Sequence, residues 1–158
     1  MVMPRSWKIL AASLVFAALF ARTPGFAQEP GAAPTDACGK VLSSAVMSAW
    51  AGVGGKDGRL GCPVESEGDT ATSIEGTAAR SARFQGGEIV RHMSGPLAGK
   101  AFAVQACDRL YVQYGGVSGW LGLPTSDAIN TPDGQRQHFE GGTLMRGRAL
   151  SECEAEKN

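Results

Sequence analysis

Between Gly39 and Val53 the apolar residues fall at Val41, Leu42, Ala45, Val46, Ala49, Trp50 and Val53. Steps of three and four put them on one stripe, which predicts a helix with one buried face. Gly54 and Gly55 stop it, because glycine takes the left-handed conformation of a helix C-terminus without strain. A shorter version follows at Leu110, Tyr111 and Tyr114, with Asp108 as the expected N-cap and Gly115-Gly116 as the stop. After each helix the pattern turns strand-like. Residues 81–84 and 88–92 flank Gly86-Gly87, and residues 136–139 and 143–146 flank Gly141-Gly142, which predicts two hairpins with tight turns. A further strand is expected from Ala101 to Gln105, with Ala149-Leu150 as its counterpart.

These elements are written twice. Gly54-Gly55, four residues, then Leu60-Gly61-Cys62-Pro63 returns as Gly115-Gly116, four residues, then Leu121-Gly122-Leu123-Pro124. Phe84-Gln85-Gly86-Gly87 returns as Phe139-Glu140-Gly141-Gly142. Ordered blocks in matching positions mark a repeat. Leu60 and Leu121 are 61 residues apart but Phe84 and Phe139 only 55, so the first copy carries six extra residues. They fall in the polar stretch from Glu65 to Ala82, where a loop extension costs little. Leu60, Leu121, Phe84 and Phe139 recur at equivalent sites and read as shared packing. Trp50, Tyr111 and Tyr114 join them from the helices. The expected fold class is therefore α+β, mainly short β-hairpins with two short helices. It consists of two tandem helix–loop–hairpin units packed as one domain.

The ends change the picture of compartment. Arg5 and Lys8 precede an apolar run from Ile9 to Phe20, and Gly25-Phe26-Ala27 is a small-x-small cleavage site, the layout of a secretory signal peptide over 1–27. The run is short of the ~20 residues that span a bilayer. Without it, 12 of the 15 basic side chains remain against all 15 acids, a net charge of −3. Those charges are scattered with no basic stripe, which argues against nucleic acid. Residues 28–37 read as a Pro/Gly/Ala leader, and 154–158 as a charged, frayed tail. The domain between them, 38–153, divides at about 105 into units of 38–105 and 106–153. Its four cysteines, Cys38, Cys62, Cys107 and Cys153, are even in number and exported, which favours two disulfides over metal ligation. Three pairings are open. The expected one is Cys38–Cys153, tying the ends, with Cys62–Cys107 tying the units.

The ordered set of motifs resembles the LGFP repeat. The second copy carries it best, in Tyr114-Gly115-Gly116, Leu121-Gly122-Leu123-Pro124-Thr125-Ser126-Asp127, Asp133-Gly134 and Gln137-His138-Phe139-Glu140-Gly141-Gly142. The first departs from it at Cys62, Val64-Glu65 and Glu75-Gly76. The resemblance implies an exported bacterial module that helps hold envelope enzymes at the cell wall, with no catalytic residues of its own. Such arrays usually carry more repeats. Two units leave both end faces of a stack open, which the disulfides or a homodimer would cover.

Enzyme signatures are absent from the sequence. Gly116-Val117-Ser118-Gly119-Trp120 fails the G-x-S-x-G elbow at its last position. Gly52-Val53-Gly54-Gly55 lacks the third glycine and the preceding strand of a dinucleotide loop. No cofactor is implied. His92 and His138 read as solvated strand residues rather than metal ligands, and Asp127 and Glu140 as surface acids rather than a glycosidase pair. Trp120 is different, because its counterpart is Arg59, and a core site rarely exchanges Trp for Arg. A partly exposed Trp120 with Arg59, Arg146 and Glu140 is the expected binding face. The expected function is a non-catalytic, secreted or periplasmic module for a wall polysaccharide or peptidoglycan, with no membrane contact once the signal is removed. The alternative is a secreted protein-interaction factor, such as an inhibitor or accessory subunit of an envelope enzyme. A small hydrolase is the third and weakest reading.

Overall fold

The computed structural model describes residues 35–149 and 152–158. The expected signal peptide, residues 28–34 of the expected leader and Leu150 of the strand expected at Ala149-Leu150 lie outside the described residues, and Ala149 belongs to no strand. The chain opens with a two-stranded ribbon, β1 (Thr35–Ala37) and β2 (Lys40–Leu42). Helix α1 (Ser44–Gly52) follows, capped by Ser43, whose side chain accepts from the Val46 amide at 3.4 Å. It ends before Gly54, which sits at φ 99° and leads into a 3-10 turn, Gly55–Asp57. Strands β3 (Gly68–Asp69), β4 (Ala79–Phe84), β5 (Gly87–His92) and β6 (Ala101–Ala103) form a four-stranded antiparallel meander. Helix α2 (Asp108–Gln113) and a second 3-10 turn, Gly116–Ser118, precede a second meander. It comprises β7 (Ile129–Thr131), β8 (Gly134–His138), β9 (Gly142–Gly147) and β10 (Cys153–Lys157). The class is mixed helix and sheet, with antiparallel strands and two disulfides.

Edge strands are where the structure departs most from the sequence pattern. The leader's last residues, 35–37, are a strand. The charged tail is one too, since Cys153–Lys157 pairs along β9 and Ala155 packs against the core. The stretch expected as a loop holds β3 and the first residues of β4. Such strands take their order from a neighbour's backbone rather than from apolar periodicity. Asp108 is not the N-cap of α2; Cys107 is, at φ 55° and without a side-chain cap bond.

The cysteines pair within each half of the chain, not between the halves. Cys38–Cys62 and Cys107–Cys153 have Cα–Cα distances of 6.0 and 5.8 Å. The expected Cys38–Cys153 and Cys62–Cys107 pairing is wrong because both terminal segments fold back locally. The β1–β2 ribbon carries Cys38 onto the Leu60-to-Pro63 turn. Strand β10 sets Cys153 opposite Arg146, next to Met145, whose carbonyl lies 3.4 Å from Cys107 Sγ.

The first meander has a core on each face, as alternation along a strand allows. Ala82, Phe84, Ile89 and Ala103 pack with Val46 and Trp50 of α1, Leu42 and Leu60. Ala79 and Val90, on the opposite face, pack with Tyr111, Leu121, Leu123, Phe139 and Leu144 from the second half. Burial of each large aliphatic side chain contributes about 1.5–3 kcal/mol. Leu60, Leu121, Phe84 and Phe139 are all buried, as their recurrence predicts, whereas Tyr114 is 37% exposed.

Matching motif positions share local geometry. Isolated bridges join Pro63 to Phe84 and Pro124 to Phe139. Trp50 Nε1 donates to Gly61 O at 2.8 Å, and Tyr111 Oη donates to Gly122 O at 2.9 Å. Gly86 and Gly141 lie against the carbonyls of Arg59 and Trp120, leaving no room for a side chain. The glycines of the paired turns are there for backbone contact.

Candidate functional site

The second meander faces α1 across an open cleft of about 450 Å³. Ser48, Ala49 and Gly52 of α1 form one wall, and Asp127, Ala128, Gln135 and Arg146 the other, with Arg59 and Gln105 between. The lining is mostly polar. Arg59 is fixed by Nη2 donating to Val104 O at 3.0 Å, and its Nη1 lies 3.7 Å from Asp108. Arg146 donates from Nη2 to Gln135 Oε1 at 2.9 Å. The cleft therefore offers two guanidiniums, two amides, a hydroxyl and a carboxylate, which suits a polar, hydrogen-bonding ligand.

Two of the four residues expected at the binding face, Arg59 and Arg146, meet in this cleft. Glu140 does not reach it, because its Oε2 accepts from the Leu123 amide at 2.9 Å and holds the turn beneath Gly122. Trp120 is half-buried against the second core, 5.4 Å from the Tyr114 ring centroid, with Lys157 Nζ 5.3 Å above it. A single face of Trp120, Arg59, Arg146 and Glu140 does not form. Trp120 also lies against Gly142, so part of its indole serves packing.

A second groove of about 510 Å³ runs between the β4–β5 turn and α2. Its walls include Phe84, Val112 and Val117 with Arg83, Glu88 and Asp108. Burial pushes the Glu88 carboxyl above its ordinary value, against the opposing charge of Arg83. Burial also holds the Tyr111 phenol above its usual range, so it remains a donor to Gly122 at any physiological pH.

At the N-terminus of α1 a carboxylate is almost enclosed. Glu67 has 5% of its side chain exposed, with Oε1 2.6 Å from Arg91 Nε and 3.8 Å from Arg80 Nε, while Oε2 accepts from the Ser43 amide at 2.8 Å. Arg80 also donates to the Glu67 carbonyl at 3.0 Å. Burial raises the Glu67 pKa, but the bonds from Ser43 and Arg91 and the Arg91 charge outweigh it, so the net shift is downward from 4.5. A carboxylate lowered in the folded state stabilises above its unfolded value and loses that contribution as pH falls through its folded value. Glu67→Gln should therefore cost about 2 kcal/mol at pH 7. That gap should narrow below pH 4.5 when urea unfolding is compared at pH 7 and pH 3. An undiminished gap at pH 3 would overturn the assignment.

The histidines differ from their expected setting. His92 is 2% exposed, donates from Nε2 to Pro124 O at 2.8 Å, and meets Phe102 edge-on at 5.9 Å. It links the two halves and is no solvated strand residue. His138 is exposed and bonded to Thr143 Oγ1 at 3.0 Å. Among the described residues, no three His, Cys, Asp or Glu side chains gather to hold a metal ion. No helix of the described residues is long and apolar enough to cross a membrane. Gln137 carries the largest polar role missed in the sequence. It is fully buried and bonded to Gln105 N, Ala106 N, Ala103 O and Ser126 O at 3.0, 3.3, 2.9 and 3.0 Å. Its counterpart in the first meander is Ala82, so the repeat itself gave no sign of it. Compared with known proteins, the chain matches no family model and no curated protein.

Proposed function

We propose that the chain is an exported, non-catalytic module of two LGFP-like units that binds a polar component of the bacterial cell envelope. The observation that carries this reading is the cleft between α1 and the second meander, where Arg59, Arg146, Gln105, Gln135 and Ser48 converge. Arginines held by neighbouring oxygens lose little freedom on binding, which favours recognition over turnover. The paired Pro–Phe bridges support two equivalent units. Two disulfides fit an oxidising compartment outside the cytoplasm.

Co-sedimentation of the oxidised protein with protein-stripped cell-wall sacculi tests it. Saturable pelleting of the wild type is expected, with the Arg59→Ala/Arg146→Ala variant at least tenfold weaker and still folded by circular dichroism. A folded wild type that stays in the supernatant overturns the wall-binding reading. It would favour a protein partner instead, for which the groove at Phe84, Val112 and Val117 is the better surface, since Val112 is 67% exposed beside it.

A further inference from the structure

The two meanders differ at one corner in a way that points to a ligand. Glu67 lies four residues after Pro63, and Ala128 lies four residues after Pro124. Arg80 and Arg91, four residues before and seven after Phe84, correspond to Gln135 and Arg146, four before and seven after Phe139, and each two form a cross-strand pair. In the first half, the guanidiniums of Arg80 and Arg91 close on the Glu67 carboxylate. In the second half, the carboxylate is gone. Ala128 replaces the acid, while the arginine and a hydrogen-bonding partner remain. Ala128, Gln135 and Arg146 all line the 450 Å³ cleft. Among the described residues no carboxylate lies within ion-pair distance of Arg146, although every arginine at the Glu67 corner has one. Among the described residues, the Arg146 guanidinium donates to the neutral Gln135 alone.

We propose that the cleft is a carboxylate receptor, in which an acid group of the ligand takes the place beside Arg146 that Glu67 takes beside Arg91. This rests on the reading of the chain as a binding module and names the chemistry its site selects. Arg91 shows the geometry available to such a group, with a guanidinium Nε at 2.6 Å from a carboxylate oxygen. A guanidinium satisfies a carboxylate better than any neutral donor can. Arg59, Ser48 and Gln105 lie within the same cleft and would meet the hydroxyls or amides on the rest of the ligand. Exposed Asp127 on the rim disfavours ligands of high negative charge, so a singly charged ligand fits best. Two sources supply such a group: an acidic sugar and the C-terminus of a short peptide.

The internal comparison supplies the test. Ala128→Glu should place a carboxylate against Arg146, as in the first half, and close the site from within. Heteronuclear NMR titrations of the oxidised protein would use glucuronate against glucose, and acetyl-alanine against acetyl-alanine amide. Shifts at Arg146 and Ala128 with one or both acids, at least tenfold weaker with the neutral partners, are expected, and the responding pair identifies the source. Ala128→Glu should abolish these shifts without lowering the melting temperature, and Arg146→Gln should weaken them at least tenfold. Equal response to acids and neutral compounds, or an unchanged response in folded Ala128→Glu, overturns the proposal. The two readings fail separately. Carboxylate shifts unchanged in folded Ala128→Glu, with sacculi still pelleting it, leave envelope binding intact and reject the receptor. Carboxylate binding without pelleting does the reverse.

Discussion

Replacing both Cys107 and Cys153 by serine should lower the stability of the protein by about 4 kcal/mol. The bridge closes a segment with a sequence separation of 46, and that loop's closure entropy sets the figure. The same change at Cys38 and Cys62, with a separation of 24, should cost about 3.5 kcal/mol. Local backbone adds to both cases. Cys38 sits at φ 51° and Cys107 at φ 55°, a region that costs a non-glycine residue about 1–2 kcal/mol. Without the second bridge, nothing covalent holds Cys107 at the start of α2, and the edge strand β10 is kept by its backbone bonds to β9, by Ala155 and by Lys157 over Trp120. Urea unfolding of the two double variants against the oxidised wild type measures this. A loss under 1 kcal/mol from Cys107→Ser/Cys153→Ser would mean that β10 docks independently of its cross-link. Peptide mapping of the unreduced protein should recover the 38–62 and 107–153 pairs and no other.

Gln137→Leu should cost about 3–5 kcal/mol although it preserves side-chain volume. The amide is the common partner of two backbone N–H groups at the end of the first meander and of the carbonyls of Ala103 and Ser126. Leucine leaves all four without that partner, and each polar group stranded in the interior costs about 1–3 kcal/mol. Gln137→Glu sharpens the expectation. Its oxygens can still accept from Gln105 and Ala106, but a carboxylate cannot donate to Ala103 and Ser126. It should be the less stable choice at neutral pH and recover part of the loss when protonated. Hydrogen exchange at the Gln105 and Ala106 amides reports the site directly. Unchanged protection there in Gln137→Leu would show that another acceptor substitutes.

The helices, both hairpins and the four repeating core residues were legible because each rests on local spacing, although Val41 and Leu42, read onto the first helix's buried stripe, lie in β2 and Val41 is half exposed. Val46 and Trp50 announce α1 by period, and Gly86-Gly87 announces its turn by what only glycine permits. The disulfide pairing was not legible, since it depends on β1 and β10, whose residues carry no apolar alternation. Burial of His92 was hidden for a related reason. The contact it makes, Pro124 O, lies 32 positions away and on the other half of the chain. At the site, an unusual exchange of Trp for Arg drew attention to Arg59, and Arg146 came with it. Glu140 misled because a carboxylate in a turn looks the same in sequence whether it waits for a ligand or holds the Leu123 amide. Ala128 could not be noticed at all without Glu67's surroundings, because its meaning is a missing charge.

The separate placement of the two cross-links also decides how the molecule answers a pull. Force applied at Cys38 and Cys153 would be carried around both closed loops. Only residues 63–106 could be drawn out, to a contour of about 150 Å. Had Cys38 been joined to Cys153, the same tension would pass through one sulfur–sulfur bond and extend nothing. As built, the chain has inextensible ends and a yielding middle. The part that yields contains the first meander, and with it one wall of each of the two cores.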